Sequence, residues 1–156
     1  MSIGNILTIR ERLKMKKLIE QLVKFGLVGV LCTVIDFGVY TVCNLIGIPY
    51  LISGFAGFTI SVIVNYVLSM KYVFERRDDM SKQREFVIFV ILSIVGLVLN
   101  EILLYIGIDG IYMHNAQLQT LFSETAAQLL VKLGATAIVM IYNFVSRKIL
   151  LEKKSS

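Results

Sequence analysis

The chain has 156 residues, 56% of them hydrophobic, and a mean hydropathy of +0.77. That excludes an ordinary soluble domain, because a globule of this length has too little interior to hide helices that are apolar on every side. The net charge of +5 sits in clusters at the edges of apolar runs and not in a basic folded module, which argues against a nucleic-acid partner.

Residues 1–21 set Ile6, Ile9 and Leu13 among Arg10, Lys14 and Lys17. This pattern predicts a short helix in the membrane interface, with a frayed tail as the alternative. A transmembrane domain is expected over 22–150 and a tail over 151–156. Its spans fall at about 25–46, 49–70, 86–108 and 125–146, each near the ~20 residues that cross hydrocarbon. The first is too long for a secretory signal and has no small-residue cleavage end, so it reads as a retained anchor. Gly47-Ile48-Pro49 joins the first two spans; Gly ends one helix and Pro starts the next, which forces an antiparallel hairpin. Residues 71–85 mix both charge signs and form a solvated loop. Residues 109–124 form the longest connection and hold the lone His114, a surface residue rather than a ligand because no partner ligands accompany it. Cys32 and Cys43 lie ~16 Å apart on one helix and cannot bridge. The fold class is therefore an all-α integral membrane protein, a four-helix antiparallel bundle.

An internal repeat is also visible. A shift of 64 positions lays Phe25 on Phe89, Gly29 on Ser93 and Asp36 on Asn100, while Asn65-Tyr66 in the second span answers Asn143-Phe144 in the fourth. Two parallel two-helix repeats are expected, a design that puts binding sites between halves.

Basic residues set the topology. Arg10 to Lys24, Lys71 to Arg84 and Arg147 to Lys154 flank the spans, and the two other connections carry neither Lys nor Arg. Both termini and the middle loop are thus expected in the cytoplasm, with the chain in the plasma membrane. Lys24, Lys71, Arg147 and Lys148 would ring the cytoplasmic rim, an arrangement suited to a phosphate as well as to the topology signal alone.

Polar residues recur inside the spans. Ser53, Gly57, Ser61, Asn65 and Ser69 follow a spacing of four and share one helical face. Thr33, Asp36, Asn100 and Asn143 mark comparable faces elsewhere. Small residues on such faces serve close helix packing. The ionisable residues need a further reason, since a charge at mid-bilayer costs ~2.5–3.5 kcal/mol. Glu101 and Lys132 are expected as an ion pair in the outer half. Asp36, near the midplane, is left protonated, bonded to Asn65 or Asn100, or facing water. No Ser/His/Asp set, Cys/His pair or metal cluster stands at workable spacing, so no enzyme, cofactor or metal is called for.

Three segments together resemble the GtrA-like family of small four-span membrane proteins. They are Phe25-Gly26-Leu27-Val28-Gly29 with Thr33 and Asp36-Phe37; Asn65-Tyr66 with Lys71, Tyr72, Val73 and Phe74; and Lys132-Leu133 with Asn143-Phe144 and Arg147-Lys148. The resemblance implies a flippase, or flippase subunit, that carries a polyprenyl-phosphate-linked monosaccharide across the plasma membrane for cell-surface polysaccharide or teichoic acid glycosylation. It implies a membrane-associated glycosyltransferase as partner, beside the lipid bilayer. Four helices make a thin bundle for an entire sugar head, so a homo-oligomer or a complex with that partner is also expected. In that scheme the rim cations capture phosphate, while Thr33, Asp36, Asn65, Asn100 and Asn143 line the sugar's path. Glu101 and Lys132 gate the outer end. Two alternatives stand beside it: an anchor or activator of the glycosyltransferase, and a small proton-coupled exporter built on Asp36.

Overall fold

A computed structural model describes residues 3–154, with side chains described for 8–49 and 52–154. The side chain of Ile6, expected in the interfacial segment, and residues 155 and 156 of the expected tail lie outside these. Among the described residues the protein is all-helical, with one isolated antiparallel bridge and no strand. Four helical stretches are long and apolar enough to cross a membrane: Thr8–Leu45, Ile52–Val73, Lys82–Tyr112 and Glu124–Leu151. The chain folds as two compact units, Met1–Asp79 with Glu152–Ser156, and Met80–Leu151.

The first unit is an antiparallel hairpin of α1 (Ile3–Leu45) and α2 (Tyr50–Leu68). α1 is one continuous helix of 43 residues, ~64 Å long at helical rise. The expected boundary near residue 21 is therefore not a break: the basic segment and the first span share one rod. Because the rod is about twice the ~30 Å hydrocarbon thickness, its charged end must lie beyond the oil. At the other end Gly47 adopts φ 86°. There Ile48 N–H bonds the Cys43 carbonyl and Gly47 N–H bonds the Asn44 carbonyl, both at 3.0 Å. This paired closure satisfies carbonyls that the helix end would otherwise orphan, and it needs the left-handed residue that Gly supplies. Pro49 then leads into α2. The seam between the helices is the row read from the sequence: Ser53, Gly57, Ser61 and Ser69 are buried along it. α2 ends in a π-helical turn, Ser69–Val73, closed by Phe74 N–H on the Ser69 carbonyl at 2.9 Å.

The second unit pairs α3 (Lys82–Tyr105) with α5 (Glu124–Leu151), again antiparallel. Ser81 caps α3 by accepting from Arg84 N–H at 3.3 Å. A second π-helical stretch, Ile106–Tyr112, prolongs α3, so the helix runs past the expected end near residue 108. A one-and-a-half-turn helix, α4 (Ala116–Leu121), occupies the connection, capped by the Asn115 side chain on Gln117 and Leu118 N–H. His114 bonds the Asp109 carbonyl within this connection at 2.7 Å and is exposed.

The 64-residue shift carries into burial. Gln21 and Phe25 are buried in the first unit, as are Glu85 and Phe89, their counterparts, in the second. Tyr66 and Phe144, matched near the ends of α2 and α5, are buried likewise.

Candidate functional site

The basic end of the first unit holds a cleft of about 440 Å³ between α1 and the π-helical turn. Lys17, Glu20, Gln21 and Lys24 line it from α1; Lys71, Tyr72, Val73, Phe74 and Glu75 line it from the turn and its exit. Helical spacing explains the first set, since 17, 20, 21 and 24 fall on one face. The π turn explains the second, because a register switch there re-aims successive side chains, and such switches recur at functional sites.

Two of the three lysines are already compensated. Lys17 pairs with Glu75 at 2.9 Å, and Lys24 pairs with Glu20 at 2.7 Å one helical turn away. Lys71 differs: its ammonium lies 5.2 Å from the Tyr72 ring centroid, and among the described residues it makes no ion pair. An exposed lysine held over an aromatic face with no carboxylate beside it is suited to receive an anion. Below the cleft Gln21 donates to the Val73 carbonyl at 3.0 Å and to the Glu152 carboxylate. Outside the helices Lys153 pairs with Asp78, whose hydrogen bond and charge hold the ammonium above the ordinary lysine range. Arg77 is raised in the same way by Asp79, which it grips with two nitrogens at 3.0 and 2.7 Å.

Midway along the same unit, Asp36 is half-buried where α1 crosses Gly57 of α2. Asn65, also half-buried, accepts from the Ser69 hydroxyl at 2.9 Å. Thr33 is exposed and bonds the Gly29 carbonyl of its own helix at 3.0 Å. These three residues of the expected sugar path thus belong to the α1–α2 hairpin.

Asn100 and Asn143 belong to the second unit. Asn100 is half-buried and donates to Glu101 at 3.3 Å. Asn143 faces Gly96, and its side-chain oxygen is buried without a hydrogen-bond partner among the described residues.

Two expectations meet a different geometry. Arg147, expected at an open rim, is only 2% exposed; its guanidinium lies 3.9 Å over the Phe89 ring and donates to Ser93 at 2.8 Å. Helix register turns it inward, onto the face it shares with Phe144 and Leu151, so it packs the second unit instead of lining its edge. Lys148, next in sequence, is half-buried with its ammonium 6.0 Å from the Phe144 ring.

Glu101 and Lys132 are both exposed and, among the described residues, make no ion pair. The pairing of α3 with α5 explains this. Gly96 stands opposite Asn143 and Gly107 opposite Val131, which leaves Glu101 and Lys132 about six residues out of step, ~9 Å along the axis. Their side chains also lean apart, because each tilts toward its own helix N-terminus.

Sequence reasoning missed Lys17, Gln21, Glu75 and Glu152. The one available signal was the 64-residue shift that lays Gln21 on Glu85, marking both as polar groups at an inward position.

Residues 24–151 match the family model described as "GtrA/DPMS, transmembrane domain". The chain is also 29% identical over 149 residues to "Uncharacterized membrane protein YngA" of Bacillus subtilis (strain 168), covering 94% of this chain and 84% of that one. Since the family match takes in both hairpins, the cleft's π turn and the buried Arg147, this multi-pass membrane protein belongs to the GtrA/DPMS transmembrane-domain family.

Proposed function

We propose that the protein is a non-enzymatic flippase, or the membrane subunit of one, for a polyprenyl-phosphate-linked monosaccharide used in cell-surface polysaccharide or teichoic acid glycosylation. The observation that carries this reading is Lys71, a cation without a carboxylate partner among the described residues, in a cleft where Lys17 and Lys24 are held by acids. A lipid phosphate arriving at headgroup level meets Lys71 first and Lys24 beside it. The prenyl tail stays in lipid, so only the head needs a polar route. Asp36, Asn65, Asn100 and Asn143 offer hydroxyl-binding groups at greater depth, and Thr33 offers one more. Membership of a family associated with polyprenyl-linked sugar translocation and glycosylation supports the same reading. In it both termini and the 71–85 loop face the cytoplasm, where a membrane-associated glycosyltransferase supplies the loaded lipid. Arg147 serves as a packing residue and not as a phosphate ligand, while Lys148 stays at the basic end of the second unit.

The test is reconstitution into liposomes with a labelled polyprenyl-phosphate sugar, read by its exposure to an external reagent. Transfer faster than in empty liposomes, and slowed by Lys71→Gln, is the expected result. Transfer no faster than in empty liposomes, with the glycosyltransferase also present, ends the transport reading.

A further inference from the structure

Glu152 and Lys153, in the tail that follows α5, are fastened within the first unit by backbone and side chains alike. Lys153 N–H donates to the Glu75 carbonyl at 2.8 Å, and Arg76 faces Glu152 as an antiparallel pair. Gln21, buried on α1, ties the Glu152 carboxylate to the Val73 carbonyl through one amide nitrogen. Lys153 adds the ion pair to Asp78. Backbone and side chains thus fasten the tail to α1, to the π turn and to the loop that follows it.

Glu75 is common to this fastening and to the cleft. Its peptide carbonyl receives the tail, and its carboxylate holds Lys17 on the cleft wall at 2.9 Å. The bridge at Arg76 and the bond to the Glu75 carbonyl hold the backbone at this residue, and with it the side from which the carboxylate projects. We infer that Glu152–Lys153 is a clasp that weakens phosphate binding in the cleft by keeping the Glu75 carboxylate on Lys17. Opening the clasp frees Glu75 to turn away, and Lys17 then joins Lys71 as a second uncompensated cation. The inference rests on the proposal that this cleft receives the phosphate of a polyprenyl-linked sugar, for which farnesyl phosphate is the probe. One added surface cation corresponds to about fivefold in affinity.

The experiment measures binding of radiolabelled farnesyl phosphate and of inorganic phosphate to the purified full chain in detergent. The comparison set is a chain ending at Leu151, Glu75→Gln, the two combined, and each of these with Lys71→Gln. The shortened chain and Glu75→Gln should each bind about fivefold tighter than the full chain, and the combination no tighter than either. Tightening for both probes identifies the phosphate group itself as the ligand, and tightening for farnesyl phosphate alone identifies a lipid. Lys71→Gln should weaken binding in every background.

If Lys71→Gln weakens binding but shortening the chain leaves it unchanged, the clasp is refuted while the cleft stands. If Lys71→Gln binds as the full chain does, the cleft itself is refuted. A disulfide keeps the test open should the shortened chain not fold. The hydrogen bond flanking the Arg76–Glu152 pair makes it a closely spaced, non-bonded antiparallel pair, a geometry that admits a cross-link. With Cys32 and Cys43 replaced by Ser, Arg76→Cys and Glu152→Cys should bind weakly when oxidised and tighten on reduction. No change on reduction refutes the clasp.

Discussion

Gly57 on α2 lies so close to Asp36 on α1 that a β-carbon there would stand 2.8 Å from the Asp36 carbonyl oxygen and meet its carboxylate as well. The backbones approach here because one of them carries no side chain. Gly57→Ala should therefore destabilise the first hairpin by about 1–3 kcal/mol, the usual cost of overpacking. Gly54, on the same helix, has nothing within 4 Å of the equivalent point. Gly54→Ala should leave the thermal midpoint in detergent unchanged or raise it, since Ala is the better helix former by about 1 kcal/mol.

In the second hairpin a β-carbon at Gly96 would lie 2.9 Å from the Asn143 side-chain oxygen. Gly96→Ala should be destabilising alone and markedly less so when combined with Asn143→Ala. A double-mutant cycle by thermal unfolding should return a coupling of about 1 kcal/mol or more. Asn143→Ala alone should be near neutral in stability, because the oxygen it removes is buried without a hydrogen bond among the described residues, an arrangement that costs about 1–3 kcal/mol. The same variant should slow sugar transfer if the amide serves the sugar's path.

Arg147→Lys should behave as a disruptive change. The planar guanidinium covers Phe89 and reaches Ser93 together, and an ammonium cannot do both. A loss of about 1–2 kcal/mol is expected, from the desolvated ring contact and the charged hydrogen bond. Thermal unfolding would check it. An unchanged midpoint would mean that Arg147 is not packed as described.

Lys71→Gln should lower farnesyl phosphate binding about fivefold at ~0.1 M salt, the share of one surface cation. The difference should shrink toward nothing at ~1 M salt, where charges are screened within ~3 Å. Parallel titrations at the two ionic strengths would decide this.

Lys153 titrates above the ordinary lysine range because Asp78 favours its charged form. A group raised on folding contributes stability that is complete below its unfolded value and lost as pH rises through its folded one. The Lys153–Asp78 contact should therefore persist through neutral and mildly alkaline pH and loosen only beyond the ordinary lysine range. Spin labels placed on the tail and on the 71–85 loop should report a constant separation up to that range and a longer one above it. Loosening between pH 6 and 8 would contradict the assignment.

The sequence made the spans legible because about twenty apolar residues have few other uses, and Gly47 with Pro49 located the first hairpin turn. The row from Ser53 to Ser69 was legible as a seam because a spacing of four defines a face. Helix register was not legible. Glu101 and Lys132 have opposite charges and, counted along the sequence, similar expected depths, yet the facing of Gly96 with Asn143 sets them out of step. Arg147 ends a span as a rim cation should, and only its position relative to Phe89 turns it inward. The clasp was least legible of all: Glu152 meets Gln21 across 131 positions, and both belong to residue types that ordinarily face water.

The π turns carry a consequence for the surrounding lipid. Each switches the backbone from four-residue to five-residue bonding, with Phe74 N–H on the Ser69 carbonyl and Met113 N–H on that of Ile108. Such a switch leaves one peptide oxygen without a donor from its own helix, and oil offers none. Side chains supply part of what is missing: Gln21 donates to the Val73 carbonyl, and Gln119 to those of Tyr112 and Met113. Between Pro49 and the first π turn, α2 keeps regular geometry for 19 residues, ~28 Å of rise. The main chain itself thus gauges how thick a leaflet pair this protein can tolerate, and it delivers Lys71 and Tyr72 to the shoreline.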